Sequence, residues 1–224
     1  MVLEWSEIES VVESGAHVLL YGPPGTGKTR AATSSESYSL TLTEETPAAE
    51  LRGHYVPRGG EFIWQDGPAI RAWREGKRLV LNEIDKASSD ALTFLLAALD
   101  DPEVARLTLP TGETVRPRPG YHAIATMNGD PDASLPAPLR DRFAVAIAVT
   151  APHPDALARL QCDPLANAVA ATIGAGPDRQ VTLRQAFAFI RLSQRLENRA
   201  LAARAVWGER GADVLNSLIL AEGK

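Results

Sequence analysis

A chain of 224 residues with 45% hydrophobic content and a formal net charge of −5 allows one large domain, or a core with a small appendage, and has ample material for a buried interior. The acidic balance argues against a chain whose main business is coating nucleic acid, the single cysteine, Cys162, excludes an internal disulfide framework, and the four histidines form no Cys/His cluster at metal-ligand spacing. No apolar run reaches membrane-spanning length, and Met1 to Val12 carries Glu4, Glu7 and Glu9 where a leader peptide needs a basic flank, so the sequence predicts a protein of the reducing cytoplasm with no membrane segment.

Val2-Leu3, Ile8 and Val11-Val12 recur at helical spacing, which predicts a short amphipathic helix ending at Gly15. On it, Trp5 either packs into the core or helps to wall an adenine pocket. The apolar run His17 to Tyr21 reads as a buried strand. Directly after it comes Gly22-Pro23-Pro24-Gly25-Thr26-Gly27-Lys28-Thr29, which fits the phosphate-loop pattern G-x-x-x-x-G-K-[ST] at every fixed position. Glycines are needed because backbone N–H groups must approach phosphate oxygens in conformations that a side chain would obstruct. Lys28 supplies a point charge for the β- and γ-phosphates, Thr29 offers a hydroxyl to Mg²⁺, and the helix that starts here points its positive end at the polyphosphate of ATP.

Tyr38 to Leu42 alternates as a second strand, and Pro47 to Gly67 reads as a hairpin inserted into a helical region, around Glu61-Phe62-Ile63-Trp64. Gly67-Pro68 opens a helix with Ile70 and Trp73 on one face. Its basic run, Arg71, Arg74, Lys77 and Arg78, is either a solvated helix end or a polyphosphate or nucleic-acid contact. The strand Leu79-Val80-Leu81 then ends in Asn82-Glu83-Ile84-Asp85, the position of a second nucleotide motif, Walker B. In its usual form the first residue is an Asp that holds Mg²⁺ and the second a Glu that polarises the attacking water; here the first is Asn82. Asp85, past the apolar run, is read as capping the turn before the next helix, and Ser88-Ser89-Asp90 as the cap of that helix.

That helix, Ala91 to Leu99, is expected to lay Leu92, Leu95, Leu96 and Leu99 on the sheet. Residues 106 to 116 read as strand, turn and strand, and Tyr121 to Met127 as a core strand ending in Asn128-Gly129. A polar residue at the C-terminal edge of a parallel strand lies where open α/β sheets bind ligands. Pro138 to Phe143 leads into a fifth strand, Ala144 to Val149, and beyond Pro152-His153-Pro154 only helical patterns remain, the longest running from Thr182 to Leu196.

In this order the motifs resemble the AAA+ ATPases, specifically their MoxR-like and dynein-related branch. The resemblance rests on the phosphate loop, Leu81 to Asp85, the hairpin that ends in Asp66-Gly67-Pro68, the second hairpin, Ala125-Thr126-Met127-Asn128 and Arg140-Asp141-Arg142-Phe143, and covers nearly the whole chain. It implies an α/β P-loop core over residues 1–150, with a five-stranded parallel sheet sandwiched by helices. A small helical lid over residues 151–224 would follow, with nucleotide bound between the two. Asn128 resembles sensor 1, which orients the water together with Glu83. Arg142 resembles the arginine finger that reaches a neighbouring subunit's γ-phosphate, with Arg140 as its competitor. Arg184 is similar to the lid's sensor 2 arginine, acting on its own or an adjacent site. The resemblance further implies a ring, typically a hexamer, that binds ATP and Mg²⁺ and remodels a protein partner, commonly one with a von Willebrand factor A domain. Two other readings stay open: a nucleotide-gated binding module in which Asn82 has made hydrolysis vestigial, and a nucleic-acid motor using Arg116-Pro117-Arg118.

Overall fold

The computed structural model describes residues 3–160, 163–173 and 179–222; Cys162 lies outside them. In chain order the elements are α1 (Trp5–Val12), β1 (Val18–Tyr21), α2 (Lys28–Ala32), β2 (Tyr38–Thr41), α3 (Ala48–Arg52), β3 (Gly53–Arg58), β4 (Glu61–Asp66), α4 (Pro68–Glu75), β5 (Arg78–Asn82), α5 (Ser89–Ala98), β6 (Leu107–Thr108), β7 (Thr114–Val115), β8 (His122–Thr126), α6 (Pro131–Ser134), α7 (Ala137–Arg140), β9 (Val145–Ala148), α8 (Pro154–Ala158), α9 (Asp163–Ala171), α10 (Leu183–Leu196), α11 (Arg199–Trp207) and α12 (Gly211–Glu222). The described chain forms two compact units. One joins the residues up to Gly22 with Lys28–Ala148; the other joins Pro23–Gly27 with the residues from Val149 onward.

The first unit is built on a five-stranded sheet in the order β2-β5-β8-β1-β9, with every pairing parallel. Burial explains the order. Val18-Leu19-Leu20 and all of β5 are buried, as central strands covered on both faces must be, whereas β2 alternates between half-buried and exposed residues at an edge. α4 starts with Pro68 in its first turn and stops at Gly76, whose φ of 64° gives the left-handed turn that ends many helices. It buries Ile70 and Trp73 as the sequence predicts, and Trp5 is likewise packed in the core.

Two sequence-based expectations are corrected in part here. Leu95 and Leu99 are buried as expected, but α5 also buries Ala91, Phe94 and Ala98, and Leu92 and Leu96 pack against the core only partly covered. The α5 cap is Ser88, as the sequence predicts: the Ser88 hydroxyl accepts from the Ala91 N–H, while the Asp85 carboxylate, in the turn before the helix, meets Lys86 at 3.3 Å. The basic run is a solvated helix end from Arg71 to Lys77, with its cations already partnered, and Arg78 departs from it by being buried. Arg71 covers the Tyr38 ring, Arg74 bridges Asp66 and Glu113, Lys77 meets Glu75, and Arg78, only 5% exposed, donates to His122 and to the Val12 and Ala32 carbonyls.

Arg74 ties both hairpins to α4, through Asp66 at the end of β4 and a bidentate pair with Glu113 in the β6–β7 turn. The hydrogen bonds to Glu113, more than those to Asp66, raise the Arg74 guanidinium above its ordinary range. Arg116-Pro117-Arg118 lies after β7 and not at the hairpin tip, and the Arg118 N–H is bonded to the Trp73 carbonyl.

In the second unit, Thr182 and Gln185 form a reciprocal cap on α10, and Asn198 caps α11. Leu165, Val169, Leu183, Ala186, Phe189, Trp207 and Leu218 make its core. Among the described residues no helix is long and apolar enough to cross a membrane.

Candidate functional site

Gly22 (φ 126°), Gly25 (φ 79°) and Gly27 (φ 104°) all take backbone conformations that L side chains rarely adopt, which is why the loop needs glycine at these points. Pro23–Gly27 are held within their own unit by the Thr26 carbonyl accepting from the His153 N–H and the Pro24 carbonyl accepting from Gln180, both at 3.0 Å. In the first unit the Lys28 ammonium, 6% exposed, donates to the Gly22 carbonyl at 2.8 Å and to Asn128 Oδ1 at 3.3 Å. The other end of the Asn128 amide donates through Nδ2 to Glu83 Oε1 at 3.4 Å. One amide therefore joins the cation to the carboxylate, because β5 and β8 are adjacent and both end at the same sheet edge.

Glu83 has φ 57° and ψ 45°, a left-handed conformation that costs a non-glycine residue about 1–3 kcal/mol. It turns the chain sharply out of β5 and into the single 3₁₀ turn Ile84–Lys86. Asn82, 8% exposed, has both ends of its amide engaged: Thr126 Oγ1 donates to its Oδ1 and its Nδ2 donates to Ser39 Oγ, each at 3.1 Å. Ser39 and Thr126 are residues that sequence reasoning missed; the signal was their place on the strands flanking β5.

The donor set bears on Mg²⁺. Among the described residues no three His, Cys, Asp or Glu side chains form a metal cluster. The groups present, the exposed Thr29 and the neutral Asn82, fit an ion that arrives with the phosphates and keeps most of its own ligands.

Burial pushes the Lys28 ammonium down from 10.5 to about 8, against the opposing pull of Glu83 and Asp85. Lying below the unfolded value, this group adds stability that is fully present above pH 10.5 and lost as pH falls through about 8. A bound polyphosphate favours the charged form and raises the value again, so binding above pH 8 takes up a proton. Affinity for a fluorescent ATP analogue is expected to fall by about tenfold per pH unit above pH 8, and Lys28→Arg to remove that dependence. Equal wild-type affinities at pH 7.5 and 9.5 would contradict this.

The arginines lie elsewhere. Arg142 comes three residues before Val145, which pairs with Val18 at the start of β1, whereas the phosphate loop leaves the far end of β1 beyond the Tyr21–Ala148 pair. Arg142 therefore sits at the opposite edge of the sheet from Lys28 and Glu83. There it donates through Nε to the Leu96 carbonyl at 3.3 Å and meets Asp100 at 3.1 Å. Arg140 is engaged by Asp132, with its Nε buried and without a hydrogen-bond partner among the described residues. Arg184 is exposed in the first turn of α10.

The sequence model of the AAA domain (dynein-related subfamily) matches residues 17–143. Protein NorQ of Paracoccus denitrificans is 34% identical over 131 residues, 56% of this chain and 48% of that protein. An uncharacterized Staphylococcus saprophyticus protein is 32% identical over 155 residues, 63% of this chain and 58% of that one. The chain thus spans about half the length of these curated relatives. A solved structure of a candidate ATPase from Cytophaga hutchinsonii superposes with a TM-score of 0.52 at 15% identity, covering 95% of this chain and 79% of that one, a likeness of fold. With the phosphate loop, Glu83 and Asn128 inside the matched segment, the chain belongs to the dynein-related AAA domain family and is a MoxR-like AAA+ protein.

Proposed function

We propose that this chain is the ATP-hydrolysing subunit of a cytoplasmic ring, typically a hexamer, which remodels a protein partner. The observation that carries this reading is the Lys28–Asn128–Glu83 chain, which sets a phosphate-binding cation and a carboxylate base on the two ends of one amide. Phosphoryl transfer needs in-line water, charge neutralisation and little else from the protein. In this reading residues 1–150 hold the phosphates and the attacking water and residues 151–224 serve as the lid. Gly22 to Gly27 offer backbone N–H groups, Lys28 neutralises phosphate charge, Glu83 accepts the proton of the water, and Asn128 orients both. Thr29 and Asn82 would hold Mg²⁺, which screens the phosphate charge when bound. Arg142, at the wrong edge to serve its own site, completes the site of the next subunit; Arg184 contributes from the lid, to its own or the adjacent site. The β3–β4 hairpin, with Phe62 74% exposed beside exposed Tyr55 and Ile63, is a surface suited to a protein partner, including one with a von Willebrand factor A domain.

Measured against subunit concentration, phosphate release per subunit is expected to rise steeply through the range in which the chain associates. A rate per subunit that stays constant across that range would refute a composite site.

Asn82 favours a second reading, a nucleotide-gated module with vestigial turnover. An amide lacks the negative charge that helps to hold a hard dication. Asn82→Asp is expected to fit, since the Ser39 and Thr126 hydroxyls can both donate to a carboxylate. It should lower the Mg²⁺ concentration for half-maximal phosphate release and raise the maximal rate about tenfold. Identical Mg²⁺ curves would make the substitution neutral. An active Asp variant beside a wild type silent at every Mg²⁺ concentration and assembly state would favour the module.

A further inference from the structure

We propose that Asp100 is a positioning residue for Arg142, fixing the guanidinium in the pose in which it is offered to a neighbouring subunit; this rests on the reading of Arg142 as a residue acting in trans. α5 ends at Ala98, and its last carbonyls have no partner inside the helix. Two of them are taken by side chains of other elements. The Ala98 carbonyl accepts from Trp73 Nε1 and the Tyr121 hydroxyl, and the Leu96 carbonyl accepts from Arg142 Nε at 3.3 Å. The cation is thus docked on the negative end of α5, where the helix dipole favours it.

Asp100 supplies the second anchor. Its Oδ1 meets Arg142 Nη1 at 3.1 Å and is itself held by the Asp101 N–H at 3.0 Å, so the carboxylate is fixed before it grips the arginine. Together the anchors hold Nε and Nη1, leaving Nη2 with no hydrogen bond among the described residues. Arg142 lines an open cleft of about 340 Å³ with His17, Asp101, Tyr121 and Asp141, and is 34% exposed. A half-exposed ion pair adds little to fold stability, so its consequence here lies in orientation. An arginine held at two of its nitrogens has lost its rotamer freedom before the phosphate arrives, and reaction rates are steeply sensitive to misplacement of a charge-stabilising group.

The test uses the full chain at concentrations where it associates, with Asp100→Ala, Asp100→Asn, Arg142→Ala and the Asp100→Ala/Arg142→Ala pair. Asp100→Ala is expected to lower kcat about tenfold at unchanged KM for ATP and unchanged melting temperature. Asp100→Asn keeps an acceptor at Oδ1 and should stay within about twofold of wild type. The double variant should lose no more than Arg142→Ala alone, since a residue that acts only through Arg142 has nothing left to do once it is gone. Wild-type kcat or a raised kcat in Asp100→Ala, or a further loss in the double variant, overturns the proposal. Full turnover in Arg142→Ala would sink the trans reading itself, and the single variant makes that outcome separately visible.

Discussion

Arg142→Ala is expected to lose turnover by about three to five orders of magnitude under associating conditions, while ATP binding by the single subunit stays within a few fold of wild type. The size follows from chemistry that leaves the protein little to do except spread charge over the transferring phosphoryl group, so a cation supplied across an interface has an outsized share. Its silence in binding follows from place. Arg142 precedes β9, at the sheet edge away from Lys28, and its guanidinium is held by the Leu96 carbonyl of α5 and by Asp100. Arg140 is the control: it is engaged by Asp132, and Arg140→Ala should keep turnover. The check is phosphate release alongside analogue titration for both variants. A full defect in Arg140→Ala with normal Arg142→Ala would move the finger by two residues.

Glu83→Gln is expected to bind ATP normally and to cut phosphate release at least about a hundredfold, because the amide can hold a water but cannot accept its proton. The structure sharpens this. Glu83 keeps a strained left-handed backbone and receives the Asn128 amide, so the substitution changes charge and proton affinity while the turn and the neighbour remain. Asn128→Ala should give a smaller loss in rate and also weaken binding, since Asn128 touches Lys28 as well. The loaded Glu83→Gln chain should accumulate as an assembled species, visible by light scattering with ATP and Mg²⁺. Unchanged turnover would remove Glu83 from the chemistry.

Why these positions were legible in the sequence, and others not, follows from how each is specified. The phosphate loop is written locally: its glycines are demanded by φ values between 79° and 126°, and its Lys closes back on Gly22 only six residues away. The central strands show as apolar runs because both faces are covered. The clamp on Asn82 is not local. Ser39 and Thr126 lie 43 and 44 positions away and reach it only because β2 and β8 flank β5. α5 is apolar on nearly every side, so periodicity could not fix its rotation, whereas its Ser88 cap is a local signal and was legible. The burial of Arg78 and the partners of the basic run were not legible, because sequence neighbours were split between α4 and the start of β5, each finding a different acidic, aromatic or carbonyl partner.

The central claim is a site completed by two subunits, and subunit mixing tests it most directly. Glu83→Gln lacks the base but carries Arg142; Arg142→Ala lacks the arginine but carries Glu83. Alone, each should be inactive. Combined in equal amounts in one ring, about a quarter of head-to-tail interfaces pair an intact Glu83 with an intact Arg142, so phosphate release should recover to about a quarter of the wild-type rate. No recovery in rings shown to contain both variants would contradict the account.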